Sequence, residues 1–329
     1  MPPIATAATL GEMLSQRLAF GALMIAALIG LFWLDQRLDS APQIASSQAD
    51  AVIHAGVRRG LIITTIWMLL AAFATRELGA LLRTGGHRPA VTCAMGFNIL
   101  LALIPWTIGS GLAARWGWTV SETSTTAAVL TAAVMLTFVC VARRRRVEGA
   151  STDVSQTLLM VLYLGLLGSF IPRLRMGLDS PWTLMWVLLV IKCCDIGAYF
   201  TGLAMGRHKL IPWLSPGKTW EGLIGGVATA MLVSAAVSIV SHGGWDAATR
   251  PAGIGDADGR GDWPALSAAL AFGAIMALVG QAGDLFESLL KRDAGAKDSG
   301  AVVPAFGGLL DILDSPLFCI PVAYAILIK

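Results

Sequence analysis

Apolar residues occur along the whole chain in long runs, and short polar stretches separate the runs. A helix of about 20 apolar residues crosses the hydrocarbon core of a bilayer. Nine runs reach or approach that length, and the fifth and ninth are the weakest predictions because they fall short of it. They lie near residues 18–34, 60–75, 90–112, 124–142, 156–172, 181–199, 222–240, 264–283 and 315–328. The pattern predicts an all-α, polytopic integral membrane helical bundle with about nine transmembrane helices.

The composition favours the same class. Hydrophobic residues make up 56% of the 329 residues, the mean hydropathy is +0.70, and only 14% are charged, against roughly 25% in soluble domains. The first apolar run is long and lies late, and Asp35-Gln36-Arg37 follows it. We therefore interpret it as a retained anchor and not as a cleaved signal peptide. The five cysteines lie in or beside apolar runs, without metal-finger spacing or a disulfide scaffold.

The distribution of lysine and arginine predicts the orientation. With the N-terminus in the cytoplasm, 15 of the 24 basic residues lie inside and 9 outside. The run Arg143–Arg146 is the strongest marker, whereas Arg37, Arg58 and Arg59 in the first outside loop count against this orientation. We expect a multi-pass protein of the inner (cytoplasmic) cell membrane, with residues 1–180 as N-terminal helices and residues 181–329 as a catalytic region with two cytoplasmic loops.

The remaining cytoplasmic charges of the N-terminal half need no special role. Arg76, Glu77, Arg83, His87 and Arg88 form a basic turn that solvation or lipid headgroups would explain. The run Arg143–Arg146 is interpreted first as a topology determinant, with a phosphate site as the much weaker alternative.

One stretch, Gln281 to Pro316, concentrates charge between the last two apolar runs. A charge inserted into hydrocarbon costs about 2.5 to 3.5 kcal/mol, so a charged stretch beside membrane segments indicates a site. Its nine charged residues are Asp284, Glu287, Lys291, Arg292, Asp293, Lys297, Asp298, Asp311 and Asp314.

Helical spacing sorts these charges onto faces. Asp284, Glu287 or Ser288, and Lys291 follow the i, i+3/i+4, i+7 pattern, and Asp311 and Asp314 repeat it at i, i+3. A loop rich in Gly and Pro joins the two groups, so they can fold back on each other. Two sets of carboxylates with cations between them suit a divalent metal, such as Mg²⁺, that holds a polyphosphate.

A second polar loop follows the sixth run, from Lys192 to Gly226. Asp195 lies at the end of the run, and the sequence Ser215-Pro216-Gly217-Lys218-Thr219-Trp220-Glu221-Gly222 comes later. A Gly-containing turn with a lysine and a hydroxyl is typical of a phosphate cradle. The first glycine of a P-loop is missing and no strand is predicted before it, which excludes a Walker-type NTPase.

These two blocks resemble the CDP-diacylglycerol synthases, or phosphatidate cytidylyltransferases. The family pattern is Ser, two residues, Lys-Arg, four residues, Lys-Asp, then Pro-x-His-Gly-Gly and Asp-Arg-x-Asp. Matching residues are Gly283–Ser288, Lys291-Arg292, Lys297-Asp298, Pro304, Gly307-Gly308, Asp311 and Asp314, and upstream Asp195, Gly197–Phe200, His208–Leu210 and Ser215–Gly222. Phe306 stands in place of the usual His, and Ile312 in place of the usual Arg.

The resemblance implies the reaction of CTP with phosphatidate to give CDP-diacylglycerol and pyrophosphate, with Mg²⁺ and a second cation left open. Its catalytic residues here would be Asp284, Lys297, Asp298 and Asp311. The metal ligands would be Asp284 and Asp311 first, then Asp298 and Asp314. The residues expected to bind substrate are Ser215, Lys218, Thr219, Glu221, Ser288, Lys291 and Arg292, with Lys297 also on the phosphates and Asp195 in support.

Other functions remain open at this point. A CTP-dependent polyprenol or lipid kinase would transfer the terminal phosphate, and a non-catalytic paralogue would agree with Phe306 and Ile312. A transporter is a rival of another class, and it predicts broken helices in two related halves. Here the acidic residues at the ends of apolar runs gather in the C-terminal part, from Asp195 on, which counts against a transporter. Ion pairing or capping alone could also explain Asp284, Lys291 and Asp314. The expected partners are CTP, phosphatidate and the lipid bilayer, with no nucleic acid and with a homodimer left open.

Overall fold

The computed structural model describes residues 7–40, 56–242, 263–296 and 308–328, and only the backbone at 7–20, 240–242 and 263–265. The described part is helical apart from one hairpin. The first helices are α1 (Ala7–Asp39), α2 (Leu61–Thr84), α3 (Val91–Gly109), α4 (Leu112–Arg115), α5 (Glu122–Ala142), α6 (Ala150–Met160) and α7 (Phe170–Gly177). The others are α8 (Pro181–Met205), α9 (Trp220–His242), α10 (Trp263–Asp293) and α11 (Leu310–Leu327).

The prediction of about nine transmembrane helices is confirmed. Within the described ranges, nine segments are long and apolar enough to cross a membrane. The fifth, Ala150–Gly177, has 28 residues because α6 continues through a π-helical turn, Val161–Leu166, into α7. The ninth begins at Leu310, five residues before the predicted start, since Asp311 and Asp314 lie inside the helix. Hydropathy alone did not predict the first turn of this helix, because these two polar residues interrupt the apolar run.

The phosphate-cradle sequence forms part of a small antiparallel hairpin. Strand β1 (Lys209–Ile211) pairs with strand β2 (Ser215–Thr219), and Lys209 lies opposite Thr219. The sequence analysis predicted a loop here. Pro216 and Gly217 are poor strand formers, and tertiary contacts described below hold this strand in place.

Two hydrophobic clusters form the interior, and α11 belongs to both. One cluster joins α2, α3 and the π-helical turn to Leu310, Leu313 and Leu317. The other joins α8, α9 and α10 to Cys319, Ile320 and Ala323. Because α11 lies between the clusters, its first turn is positioned by both halves of the molecule. The division at residue 180 stays a prediction.

Polar contacts divide the helix ends into two faces. At one end, Thr84 Oγ1 donates to the Ala294 carbonyl oxygen at 3.3 Å, and Lys218 Nζ lies 2.7 Å from Asp284 Oδ2. Arg144, after the fourth segment, donates to the carbonyl oxygen of Arg88, after the second. At the other end, Arg59 pairs with Asp179 and Arg173 pairs with Glu122. The described ends of the even-numbered membrane segments therefore share one face, here called the site face. The alternation of the loops and the leaflet that the site face occupies stay predictions.

A largely buried ion cluster ties α1 to the bundle at the opposite face. The Arg175 side chain has no exposed surface, and its Nε lies 2.6 Å from Asp35 Oδ2, which is also fully buried. Arg175 also pairs with Asp39 and donates to the Leu178 carbonyl oxygen at 3.2 Å. Removing one partner of a buried pair leaves an uncompensated charge, which is costly.

We predict that Arg175→Ala lowers the free energy of unfolding by about 3–5 kcal/mol, because Asp35 would stay buried without its cation. Thermal unfolding in detergent, followed by circular dichroism, measures the effect. The control is Arg146→Ala, whose ion pair with Glu148 is exposed on both sides, with side chains 47% and 91% accessible, so its loss should be about 0–1 kcal/mol. Equal melting temperatures for the two variants would contradict the buried cluster.

Candidate functional site

The site begins where α10 and α11 approach each other closely at the site face. A Cβ added at Gly283 would lie 2.5 Å from the Asp314 carbonyl oxygen, closer than real side chains come. One turn earlier, a Cβ added at Gly280 would lie 3.3 Å from Cys319 Sγ and 3.5 Å from Ser315 Cβ. Small residues on one helix let a neighbouring membrane helix pack at short distance. This contact brings Asp284, the residue after Gly283, beside Asp314.

Three carboxylates meet at this contact. Oxygens of Asp284, Glu287 and Asp314 all lie within 4.8 Å of one another. Glu287 is 1% exposed and Asp314 is 6% exposed, whereas Asp284 is half-buried. Oε1 of Glu287 is buried and has no hydrogen-bond partner within the described ranges. Like charges in a confined space repel each other, so nearby cations stabilise this arrangement.

Lys291 provides one of these cations. Its Nζ lies 2.9 Å from Glu287 Oε2, one helical turn away, and 2.7 Å from Asp311 Oδ1 on α11. The second oxygen of Asp311 accepts a hydrogen bond from the Gly308 N–H at 2.9 Å. Lys291 therefore bridges the two helices and links Asp311 to the three-carboxylate cluster.

Lys218 provides the other cation, from the hairpin. Its Nζ lies 2.7 Å from Asp284 Oδ2, and the Ser288 hydroxyl donates to the other oxygen of Asp284 at 3.4 Å. Lys218 and Asp284 are 66 residues apart along the chain, and their contact joins the two predicted blocks. The blocks were predicted to lie on the same side of the membrane, and the structure brings them into contact.

Glu221 fixes the base of the hairpin. Its carboxylate accepts hydrogen bonds from the backbone N–H groups of Arg207 and His208, and it contacts His208 Nδ1 at 2.6 Å. Thr219 is buried, and its hydroxyl accepts the Gly222 N–H at 3.1 Å, which caps α9. These contacts hold the strand that carries Lys218.

Arg292 and Ser215 lie at the other end of the hairpin. Arg292 Nε donates to the Leu214 carbonyl oxygen at 3.4 Å, next to half-buried Ser215. Arg292 thus joins the end of α10 to the turn before β2. Further along α8, Lys192 Nζ pairs with Asp195 Oδ2 at 3.3 Å. Binding of substrate by these residues stays a prediction.

Glu77 of α2 has a role that sequence analysis missed. Its place in a basic turn predicted a solvated charge or a lipid-headgroup contact, and this prediction is wrong, because Glu77 is only 6% exposed. Its carboxylate accepts the backbone N–H groups of Leu309 and Leu310 at 2.8 and 3.3 Å. A carboxylate at a helix N-terminus satisfies free N–H groups and complements the helix dipole. Glu77 thereby anchors the turn that carries Asp311 and Asp314.

Tyr163 borders the site from the π-helical turn. Its ring packs against Phe286 and Phe318, with centroids 5.0 and 6.2 Å apart, and it is 2% exposed. Its hydroxyl is buried and has no hydrogen-bond partner among the residues that the structure describes. Single π-helical turns are common at functional sites, but a Tyr inside an apolar run gave no sequence signal.

The carboxylates have the chemistry that a hard divalent cation requires. Mg²⁺ binds carboxylate oxygens and keeps its remaining positions for water and phosphate. Asp284, Glu287 and Asp314 converge, and Glu287 Oε1 is buried without a partner. These residues therefore fit Mg²⁺. Helical spacing allowed either Glu287 or Ser288 on this face, and the structure places Glu287 in the cluster, although it was not among the predicted ligands.

The structure describes only some of the remaining residues that were predicted for the site. Lys297 and Asp298 lie outside the described residues, as does Phe306. Asp311 lies next to the cluster through Lys291, and its assignment as a leading ligand stays a prediction. Ile312 is half-buried in the first turn of α11.

Comparisons with known proteins point to one family of enzymes. The model of the cytidylyltransferase family matches residues 45–328. A phosphatidate cytidylyltransferase of Staphylococcus saprophyticus is 28% identical over 277 residues, which cover 83% of this chain and 92% of that protein. Phosphatidate cytidylyltransferase 5, chloroplastic, of Arabidopsis thaliana is 29% identical, covering 88% and 75%. The Haemophilus influenzae phosphatidate cytidylyltransferase is 39% identical over 138 residues, covering 42% and 43%.

We predict that Gly283→Ala separates α10 from α11, because its Cβ would overlap the Asp314 carbonyl oxygen. Overpacking of this kind costs about 1–3 kcal/mol. Hydrogen–deuterium exchange of peptides from the first turns of α11 should become severalfold faster. The control is Gly96→Ala on α3, where an added Cβ meets nothing within 4 Å. Unchanged exchange in both variants would show that the helices do not depend on this contact.

Proposed function

The chain belongs to the cytidylyltransferase family, and on that basis we propose that it is a phosphatidate cytidylyltransferase. It would convert CTP and phosphatidate to CDP-diacylglycerol and pyrophosphate. The observation that carries this proposal is the meeting of Lys218, Lys291 and the Asp284–Glu287–Asp314 cluster at the site face. Relatives from two bacteria and a plant carry the same enzyme name.

The reaction joins two anions, and this determines what the site must supply. A phosphate oxygen of phosphatidate attacks the α-phosphorus of CTP, a new P–O bond forms, and the bond between the α-phosphorus and the bridging oxygen breaks. Pyrophosphate leaves with that oxygen and its electron pair. The nucleophile is already ionised, so no strong base is needed. Charge neutralisation and in-line positioning are the main requirements.

Lys218 and Lys291 are placed to neutralise phosphate charge. Both are mostly covered, with side chains 18% and 14% exposed, and both contact carboxylates of the cluster. Bound Mg²⁺ would supply charge stabilisation on the phosphate oxygens, with Asp284, Glu287 and Asp314 as its protein ligands. Asp311 and Asp298 would complete the acidic site, and Arg292, Lys297, Ser215, Thr219 and Ser288 would contact the triphosphate or pyrophosphate.

Ile312 does not leave Asp311 without a cation. The family pattern has an arginine at this position, yet Asp311 Oδ1 pairs with Lys291 at 2.7 Å. The charge balance at Asp311 is therefore kept by a lysine from α10. This contact argues against the non-catalytic paralogue that the departure at Ile312 suggested.

The site would lie at the cytoplasmic side of the inner membrane. This orientation is supported by the basic run Arg143–Arg146, which lies on the site face, since cytoplasmic loops carry an excess of Lys and Arg. Exposed apolar residues on α8, among them Phe200 and Leu203, would contact the bilayer beside the hairpin. The acyl chains of phosphatidate could then stay in hydrocarbon while its phosphate reaches the site.

We predict that the purified protein releases labelled pyrophosphate from CTP labelled at the γ-phosphate when phosphatidate and Mg²⁺ are present. Equal amounts of CDP-diacylglycerol should form. A chelator should stop the reaction, and added Mg²⁺ should restore it. A CTP-dependent kinase would instead transfer the label to the lipid. Absence of pyrophosphate under these conditions would reject the proposed function.

We further predict that Glu287→Gln lowers kcat by about 10²–10³-fold. Removal of a single group that stabilises transition-state charge has an effect of this size in other enzymes. The substitution keeps the shape of the side chain and removes its charge. Asp293→Asn is the matched control on the same helix, because Asp293 is exposed and lies outside the cluster. Equal activity of the two variants would exclude Glu287 from the reaction.

A further inference from the structure

A second charged site lies on the site face, away from the carboxylates. A cavity of about 660 Å³ opens between the α2–α3 connection and the α5–α6 connection. Its lining includes Arg83, Arg88, Arg144, Arg146 and a single carboxylate, Asp153. It shares no residue with the Asp284–Glu287–Asp314 cluster, and the proposed reaction does not use it.

The walls of this cavity are held by specific contacts. Buried Asp153 accepts the Arg88 N–H at 2.8 Å and pairs with Arg144 Nη1 at 3.5 Å. Arg144 also donates to the carbonyl oxygens of Arg88 and Pro89. One carboxylate and one guanidinium thus connect α6, the end of α5 and the turn before α3. These contacts fix the relative positions of the two connections that carry the basic residues.

The cavity has more positive charge than its own carboxylate can balance. Arg83 and Arg88 are exposed, and neither side chain has an acidic partner among the residues described. Arg146 contacts Glu148 only at 3.8 Å, with the Glu148 side chain 91% exposed. Arginine forks match the oxygen geometry of phosphate groups. An anion with several oxygens would satisfy donors that otherwise face water.

The surface beside the cavity suits a lipid. Val141 forms part of its lining, and the outer face of α5 next to it exposes Met135 and Phe138, with 65% and 66% of their surface accessible. A ligand with a phosphate group at the rim could therefore lay apolar chains along α5. Cavities of roughly 300–1,000 Å³ accommodate small ligands, so this one can hold a phosphoglycerol headgroup.

We propose that this cavity is a binding site for a phosphate-bearing anion, separate from the reaction site. Arg83, Arg88 and Arg146 contact the phosphate oxygens, while Arg144 and Asp153 hold the walls. A bilayer phospholipid and a soluble phosphate compound share this chemistry. The inference does not rest on the proposed function, because binding is measured without CTP.

Native mass spectrometry of the detergent-purified chain with phosphatidylglycerol and phosphatidylcholine tests the proposal. The wild type should retain phosphatidylglycerol preferentially. Arg83→Gln/Arg88→Gln should bind it about tenfold more weakly, since two of the guanidinium groups that contact the phosphate oxygens are lost. Arg37→Gln/Arg115→Gln is the charge-matched control, because both residues are exposed and lie at the opposite face. Arg83→Lys/Arg88→Lys should keep part of the binding, because lysine keeps the positive charge but lacks the guanidinium fork.

Competition identifies the source of the phosphate. If millimolar inorganic phosphate leaves phosphatidylglycerol bound, the ligand is a lipid. If inorganic phosphate displaces the lipid, and its own binding is lost in Arg83→Gln/Arg88→Gln, the site takes soluble phosphate compounds. Equal retention by both glutamine variants, or an equal loss in both, would overturn the proposal, since binding would then follow net charge and not this cavity.

Discussion

The close contact of α10 with α11 at Gly283 is the constraint on which the site depends. Without a side chain at this position, the Asp314 backbone can approach the helix that carries Asp284 and Glu287. The resulting cluster holds three acidic residues, two of them buried, in a protein with few charges. Such burial is unfavourable unless cations compensate it. Lys218 and Lys291 provide this compensation, and the divalent ion that we propose would add to it.

Segments from the whole chain converge on this contact. Glu77 of α2 caps the first turn of α11, and Lys218 reaches Asp284 from a hairpin that Glu221 holds in place. The N-terminal helices thus contribute to the geometry of a site whose charged residues lie mostly in the C-terminal half. A substrate phosphate would enter between lysines that already face the carboxylates, so little rearrangement of the backbone is required.

The sequence predicted the bundle and the two charged blocks, since hydropathy and helical spacing are local signals. It could not choose between Glu287 and Ser288, because they lie at i+3 and i+4 from Asp284 and both are neighbours of it on the helix surface. The hairpin was missed because its strand has weak local propensity and depends on Glu221 and Lys218. Glu77 and Arg175 were not recognised, since their partners, Leu309 and Asp35, are distant along the chain. Lys297 and Asp298 lie outside the described residues.

Electron paramagnetic resonance with Mn²⁺ as a substitute for Mg²⁺ tests the central claim most directly. The purified chain, without nucleotide, should bind Mn²⁺ at a site that Asp284→Asn, Glu287→Gln and Asp314→Asn each weaken by at least tenfold. Asp293→Asn, on the same helix but outside the cluster, should bind as the wild type does. Undiminished Mn²⁺ binding in all three cluster variants would contradict a cation shared by α10 and α11.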